Sequence, residues 1–143
     1  MTPRIHNIVM KSVVDILNAD EELARSGCSA IAQNEQELAT LLQIEMDKLD
    51  GPVLVVAVNG VRKIHSNPVK WAVEFSVNAS EYVPLRDGRL DFVTAIDAAM
   101  AAGEAVERAG IGHFDNLSHT TPGDGVLESV ANCSGEFTIE EKE

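Results

Sequence analysis

Gly51-Pro52-Val53-Leu54-Val55-Val56-Ala57-Val58-Asn59-Gly60 constrains how the rest of the chain can fold. Gly-Pro opens an unbroken apolar run and Asn-Gly closes it, the pattern of a buried strand. A second strand is expected over residues 69–77. There Trp71, Val73, Phe75 and Val77 alternate with Ala72, Glu74 and Ser76, giving one buried and one polar face. Residues 59–68 lie between the two strands. They are too many for a two-residue turn and too polar for a core, so they read as an extended loop or flap.

Downstream, Glu81-Tyr82-Val83-Pro84-Leu85-Arg86-Asp87-Gly88 leads into an alanine-rich helix expected over residues 91–108. Phe92, Ile96, Ala99, Met100, Gly103 and Val106 fall on one stripe of it. Ala98, Ala102, Ala105 and Ala109 form an adjacent stripe, small enough to let the helix lie close to a sheet or another helix. Residues 110–125 read as a long link rich in Gly, His, Thr and Asp, and links of that length are commonly functional or disordered. A last strand is expected over 126–139. Leu127, Ala131, Cys133, Phe137 and Ile139 would share a face, with Gly135 marking a bulge. Residues 140–143 read as a solvated tail.

Upstream, Thr2 as cap and Pro3 at the first helical position predict a helix start. Ile5, Ile8, Val9, Ser12, Val13, Ile16 and Leu17 carry that helix to about Ala19 at helical spacing. Residues 20–27 read as a link with room for one more helical turn over 21–24, and residues 28–32 as a short strand. Asn34 with Glu37 forms a capping-box-like start. Leu38, Leu41, Leu42, Met46 and Leu49 then mark a second helix, stopped by Gly51-Pro52. The order predicts a single α+β domain: a small mixed or antiparallel sheet with helices packed on one face.

The chain's 143 residues suit one domain. A hydrophobic fraction of 45% with 24% charged residues is that of a globular protein, and only 4% aromatics means a core of Val, Ile, Leu and Ala. No apolar run approaches the ~20 residues of a membrane helix, so no membrane partner is expected. The first residues lack a signal peptide's apolar core, which points to a cytoplasmic site of assembly. The net charge of −12 excludes a chain built to grip nucleic acid, since that affinity comes from cationic contacts to phosphates. It is compatible with standing beside DNA without holding it.

Cys28 and Cys133 have no CxxC partner, so buried or half-buried thiols are favoured over metal or redox roles. The densest polar group is His113, Asp115, His119 and Asp124. The two histidines lie six apart on what reads as a glycine-flanked loop, which favours solvated side chains over a zinc or hydrolytic site. No Gly-x-Ser-x-Gly, P-loop or dinucleotide fingerprint occurs, so no catalytic residue, metal or cofactor is expected. Contact is expected instead at Asn59, Arg62, Lys63 and His65, where the basic pair would meet an acidic neighbour such as a second copy. Glu81, Arg86, Asp87 and Arg89 would fix orientation at an interface. Trp71 is expected in the core.

The run Gly51-Pro52-Val53-Leu54-Val55-Val56, the strand Val73-Glu74-Phe75-Ser76-Val77 and the link Glu81-Tyr82-Val83-Pro84-Leu85-Arg86, in this order of elements, resemble the phage tail terminator or tail-completion proteins, some of them described as minor tail proteins. The resemblance spans roughly residues 40–139. It implies a ring-forming, commonly hexameric subunit of the virion tail, assembled in the bacterial host cytoplasm. Its partners would be other copies of itself, the tail-tube protein and the head–neck connector, with DNA passing but not bound. Another neck or tail-assembly module is the neighbouring reading, and a small enzyme with its site in 110–125 the remote one.

Overall fold

The computed structural model describes residues 4–33, 52–82, 94–120 and 126–138. These comprise α1 (Ile5–Ala19), α2 (Glu21–Arg25), β1 (Ser29–Ala32), β2 (Val53–Ser66), β3 (Val69–Tyr82), α3 (Ala95–Ala109), β4 (His113–Thr120) and β5 (Val126–Thr138). The sheet order is β1-β2-β3-β5-β4, with β1 and β2 parallel and every other pair antiparallel. The expected α+β class, with a mixed sheet and helices packed against it, is the observed one.

The register shows which side the helices cover. Val56 pairs with Val77 and Leu54 with Ala79, while Phe75 pairs with Cys133 and Val77 with Ala131. All of these are buried and face Ile5, Val9, Met10, Val13 and Leu17 of α1 and the alanines of α3 in one core. Helix α1 lies over β1 and β2, and α3 lies over β3, β5 and β4. Between α1 and the sheet, the Asn18 carboxamide accepts from Ala30 N at 2.9 Å and donates to Ala30 O at 3.1 Å. It thereby fixes the short edge strand β1 to the helix.

Asp20 ends α1 in extended geometry and caps α2 by accepting from Leu23 N at 3.1 Å. Its other oxygen takes Arg108 Nη2 of α3 at 2.8 Å. The extra turn allowed over 21–24 is therefore a real helix, joined to the end of α3. Helix α1 begins at Ile5 with Arg4 extended as its N-cap, later than the Thr2-Pro3 start predicted. Helix α3 begins at Ala95 rather than 91, because Thr94 is extended. Its hydroxyl accepts from Asp97 N at 3.1 Å while Asp97 Oδ2 accepts from Thr94 N at 3.1 Å, a reciprocal cap. The helix expected over 34–49 lies outside the described residues, as do Phe92, Ile139 and the 140–143 tail.

Three expectations are corrected. First, residues 59–68 are not a flap: β2 runs to Ser66, Asn67-Pro68 makes the turn, and β3 resumes at Val69. The alternation was masked by register shifts between Val58 and Gly60 and between Lys63 and His65, where Asn59 and Ile64 are the extra residues. Second, half of 110–125, His113–Thr120, is strand β4, and 121–125 lie outside the described residues. A shift between Phe114 and Asn116 inserts Asp115, so the inward residues fall at 114, 117 and 119 and lose the period of two. Third, Gly135 marks no bulge. It pairs regularly with Val73, and a Cβ there would stand 2.5 Å from Ile111 O. Glycine is required by the close approach of the turn after α3.

The buried stripe of α3 also differs. Ala95, Ala98, Ala99, Ala102, Gly103, Ala105 and Val106 face the sheet, whereas Ile96 and Met100 are 37% and 44% exposed. A Cβ on Gly103 would fall 2.5 Å from the Phe114 ring, so small residues set the helix-to-sheet distance and the larger ones turn outward.

Candidate functional site: the β2–β3 arm

β1 pairs with only the first four residues of β2, Val53 to Val56. Beyond that point β2 and β3 continue as a hairpin, flanked by β5 as far as the Lys70–Thr138 pair. Residues 61–68 are all exposed. Strands of 14 residues each are longer than the core requires, so the extra length presents side chains rather than burying them.

The arm's chemistry is mainly cationic, with Glu74 on its β3 strand and Glu136 of β5 beside it. The sequence contains 23 Asp+Glu, yet none lies between Asp50 and Glu74, where Arg62, Lys63 and Lys70 all fall. Lys63 Nζ stands 5.9 Å from the Trp71 ring centroid, a contact worth roughly 0.5–1 kcal/mol at an exposed site. Trp71 is thus half-buried beside the core rather than within it. Lys70 pairs with Glu136 at 3.0 Å. Arg62 lines a cavity of about 620 Å³ with Glu74, Glu107, His113 and Glu136, and makes no ion pair among the described residues. His65 Nδ1 lies 3.2 Å from Asn67 N and 3.1 Å from Pro68 O, so the ring is held on the turn whichever nitrogen carries its proton.

Of the expected contact residues, Asn59, Arg62, Lys63 and His65 come together on this arm, with Asn59 as the first bulged residue. Glu81 lies at the far end of β3, paired with Leu127, and therefore away from the arm. Arg86, Asp87 and Arg89 lie outside the described residues. Sequence reasoning missed two apolar members of the arm: Val61 and Ile64 are 38% and 36% exposed. Their signal was present, since β-branched residues at 61 and 64 suit a strand interrupted by a bulge.

The polar group His113, Asp115 and His119 sits on β4 rather than on a loop, and Asp124 lies outside the described residues. The Asp115 bulge places the two histidines on opposite faces. His113 pairs with Ser134 on the face away from the helices, and His119 with Ser129 on the helix side. Among the described residues no cluster of His, Cys, Asp and Glu has metal-binding geometry. His119 Nδ1 lies 2.8 Å from Ser129 Oγ, the spacing of a base and a nucleophile. Ser129 is fully buried, however, and among the described residues no carboxylate orients His119. The bond satisfies a buried hydroxyl.

The thiols are both free. Burial pushes Cys28 up to about 11 and Cys133 up to about 12, the latter also through the nearby charges of Asp115 and Glu107. Neither is a ready nucleophile at neutral pH.

No family model matches the chain and no curated protein matches it, so its own geometry carries the functional argument. Among the described residues, no helix is long and apolar enough to cross a membrane.

Proposed function

We propose that this chain is a self-assembling structural subunit of a phage tail, a ring-forming terminator that caps the tail tube and joins it to the head–neck complex. The observation that carries the reading is the β2–β3 arm. It is a basic, partly apolar hairpin extending from a small, strongly acidic α+β body. A subunit that stops a polymer needs an outreaching surface that finds a neighbour, and a contact that closes on itself. The resemblance of residues 51–56, 73–77 and 81–86 to tail terminators supports the same reading. An acidic ring would let DNA pass through its lumen without trapping it, because repulsion removes the counterion-release term that drives binding.

Size-exclusion chromatography with light scattering, followed by negative-stain imaging, tests the proposal. Purified chain is expected as a monodisperse ring, and added tail-tube protein as tubes of limited length capped at one end. A chain that stays monomeric with tube protein present refutes the reading. A lumen mapped as neutral or basic removes the DNA-passage part alone.

A further inference from the structure

Asn59 precedes Gly60, and no other asparagine in the sequence precedes a glycine. Next to glycine, a side-chain carboxamide is open to attack by the following backbone nitrogen, since no Cβ screens that nitrogen and the backbone turns freely. Asn67 has no such route, because the nitrogen of Pro68 carries no proton to release.

The fold leaves the Asn59-Gly60 pair unguarded. Asn59 is the extra residue where the register shifts between the Val58–Phe75 and Gly60–Glu74 pairs, so it has no partner on β3. β1 ends opposite Val56, where Gln33 N donates to Val56 O at 2.9 Å, and no described strand pairs with β2 beyond that point on that side. Ladder bonds hold a regular strand extended, and a bulge breaks them locally. The Asn59 side chain is exposed and makes no hydrogen bond among the described residues. By contrast, Asn18 is bound to Ala30, and Asn132 to Asn116 and Ser118. Asn59 and Gly60 also line a cavity of about 550 Å³ with His6, Met10 and Gln33, which gives room for ring closure and for water. The nearest atom to a Cβ built on Gly60 is a Glu74 carboxylate oxygen at 3.4 Å, the far end of an exposed side chain. Nothing rigid blocks the ring.

We infer that Asn59 is a site of spontaneous deamidation in the folded protein, with water as the co-reactant. Gly60 N gives its proton to solvent and bonds to Asn59 Cγ. The Cγ–Nδ2 bond breaks, and the amide nitrogen takes up a proton and leaves as ammonia. A five-membered succinimide remains. Water then adds to one of its two carbonyls and breaks that carbon's bond to the ring nitrogen, which regains a proton. Opening at Cγ gives aspartate; opening at the backbone carbonyl gives isoaspartate, whose main chain runs through Cγ. No oxidant or reductant is needed. Either product adds a carboxylate to a stretch that holds Arg62, Lys63 and Lys70 and no acid. The inference does not depend on the self-assembly reading.

The test incubates purified full-length chain for weeks at mildly alkaline pH, natively and in urea, and follows it by intact mass, peptide mapping and an isoaspartyl methyltransferase assay. Both samples are expected to gain about one dalton at Asn59. The native rate is expected within about tenfold of the rate in urea, because an unpaired bulge opens at little cost. Gly60→Ala, for which the structure has room, should slow the native reaction at least about tenfold by screening the attacking nitrogen. Asn59→Gln, whose longer side chain would have to close a larger ring, should abolish it. A native chain still unmodified when the urea-unfolded chain has been converted overturns the inference. So does a mass gain that maps to another asparagine, or a folded Gly60→Ala chain that reacts as fast as wild type. The native-against-urea comparison needs no variant to fold.

Discussion

A methyl group added at Gly135 would stand 2.5 Å from the carbonyl oxygen of Ile111 and 3.1 Å from the Phe137 ring. The obstacle at Ile111 is backbone, in the turn that follows the left-handed Gly110 cap of α3, and it cannot swing aside like a side chain. Gly135→Ala is therefore expected to lose about 1–3 kcal/mol, read as a lower urea midpoint with an unchanged slope. An unchanged midpoint would show that the turn yields freely. The two thiols give a second prediction at this scale. Unfolded, they would lose their protons near 9.0; folded, they hold them to about 11 and about 12. Their contribution to stability is thus complete below pH 9 and lost as the pH rises through those folded values. Urea midpoints measured from pH 8 to 11 should fall more steeply for wild type than for a Cys28→Ala, Cys133→Ala double variant. Equal slopes would show that burial does not hold the thiols protonated.

At the scale of elements, the weakest member of the sheet is β1, four residues paired among the described residues on one side only. The Asn18 carboxamide occupies both the N–H and the C=O of Ala30, which is itself buried. Asn18→Ala leaves those groups unpaired and is expected to cost about 1–3 kcal/mol. Hydrogen exchange should quicken at Ala30 while the amides of β3 and β5 stay protected; uniform quickening would mean that the bonds stabilise the whole fold rather than this edge. Legibility varied among the elements for a related reason. α1, the Trp71 alternation and the terminal strand each keep one buried face in unbroken register, and the Val53 run is apolar throughout, so all four were readable. The distal half of β2 and all of β4 carry bulges at Asn59, Ile64 and Asp115, and each extra residue shifts the alternation out of phase. Polar strands with a broken phase look like loops. For the candidate site the consequence was partial: Arg62, Lys63 and His65 were found as a basic cluster, but the strand that displays them, and Val61 and Ile64 beside them, were not.

At the scale of the whole molecule, a chain of net charge −12 carries Arg62, Lys63 and Lys70 in one stretch of sequence free of acid. Exposed charges are screened beyond roughly 10 Å at 0.1 M salt. Assembly through the arm should therefore weaken several-fold between about 0.05 and 0.5 M salt, followed by light scattering across a concentration series. Assembly that strengthens with salt would place the contact on apolar side chains alone. The sequence by itself determined the α+β class, the Val-rich central strands, the first helix and the acidic balance. These are properties of composition and of local period, which a chain carries whatever its neighbours are. Tertiary structure alone decided that residues 113–120 close the sheet, that the two histidines there face opposite sides, and that the alanine stripe of α3 is buried while Ile96 and Met100 turn outward. Each of these depends on a distance or a register between segments far apart in the chain. The close contact of Gly103 with Phe114 and the pairing of His119 with Ser129 are such cases, and no periodicity within one segment encodes them.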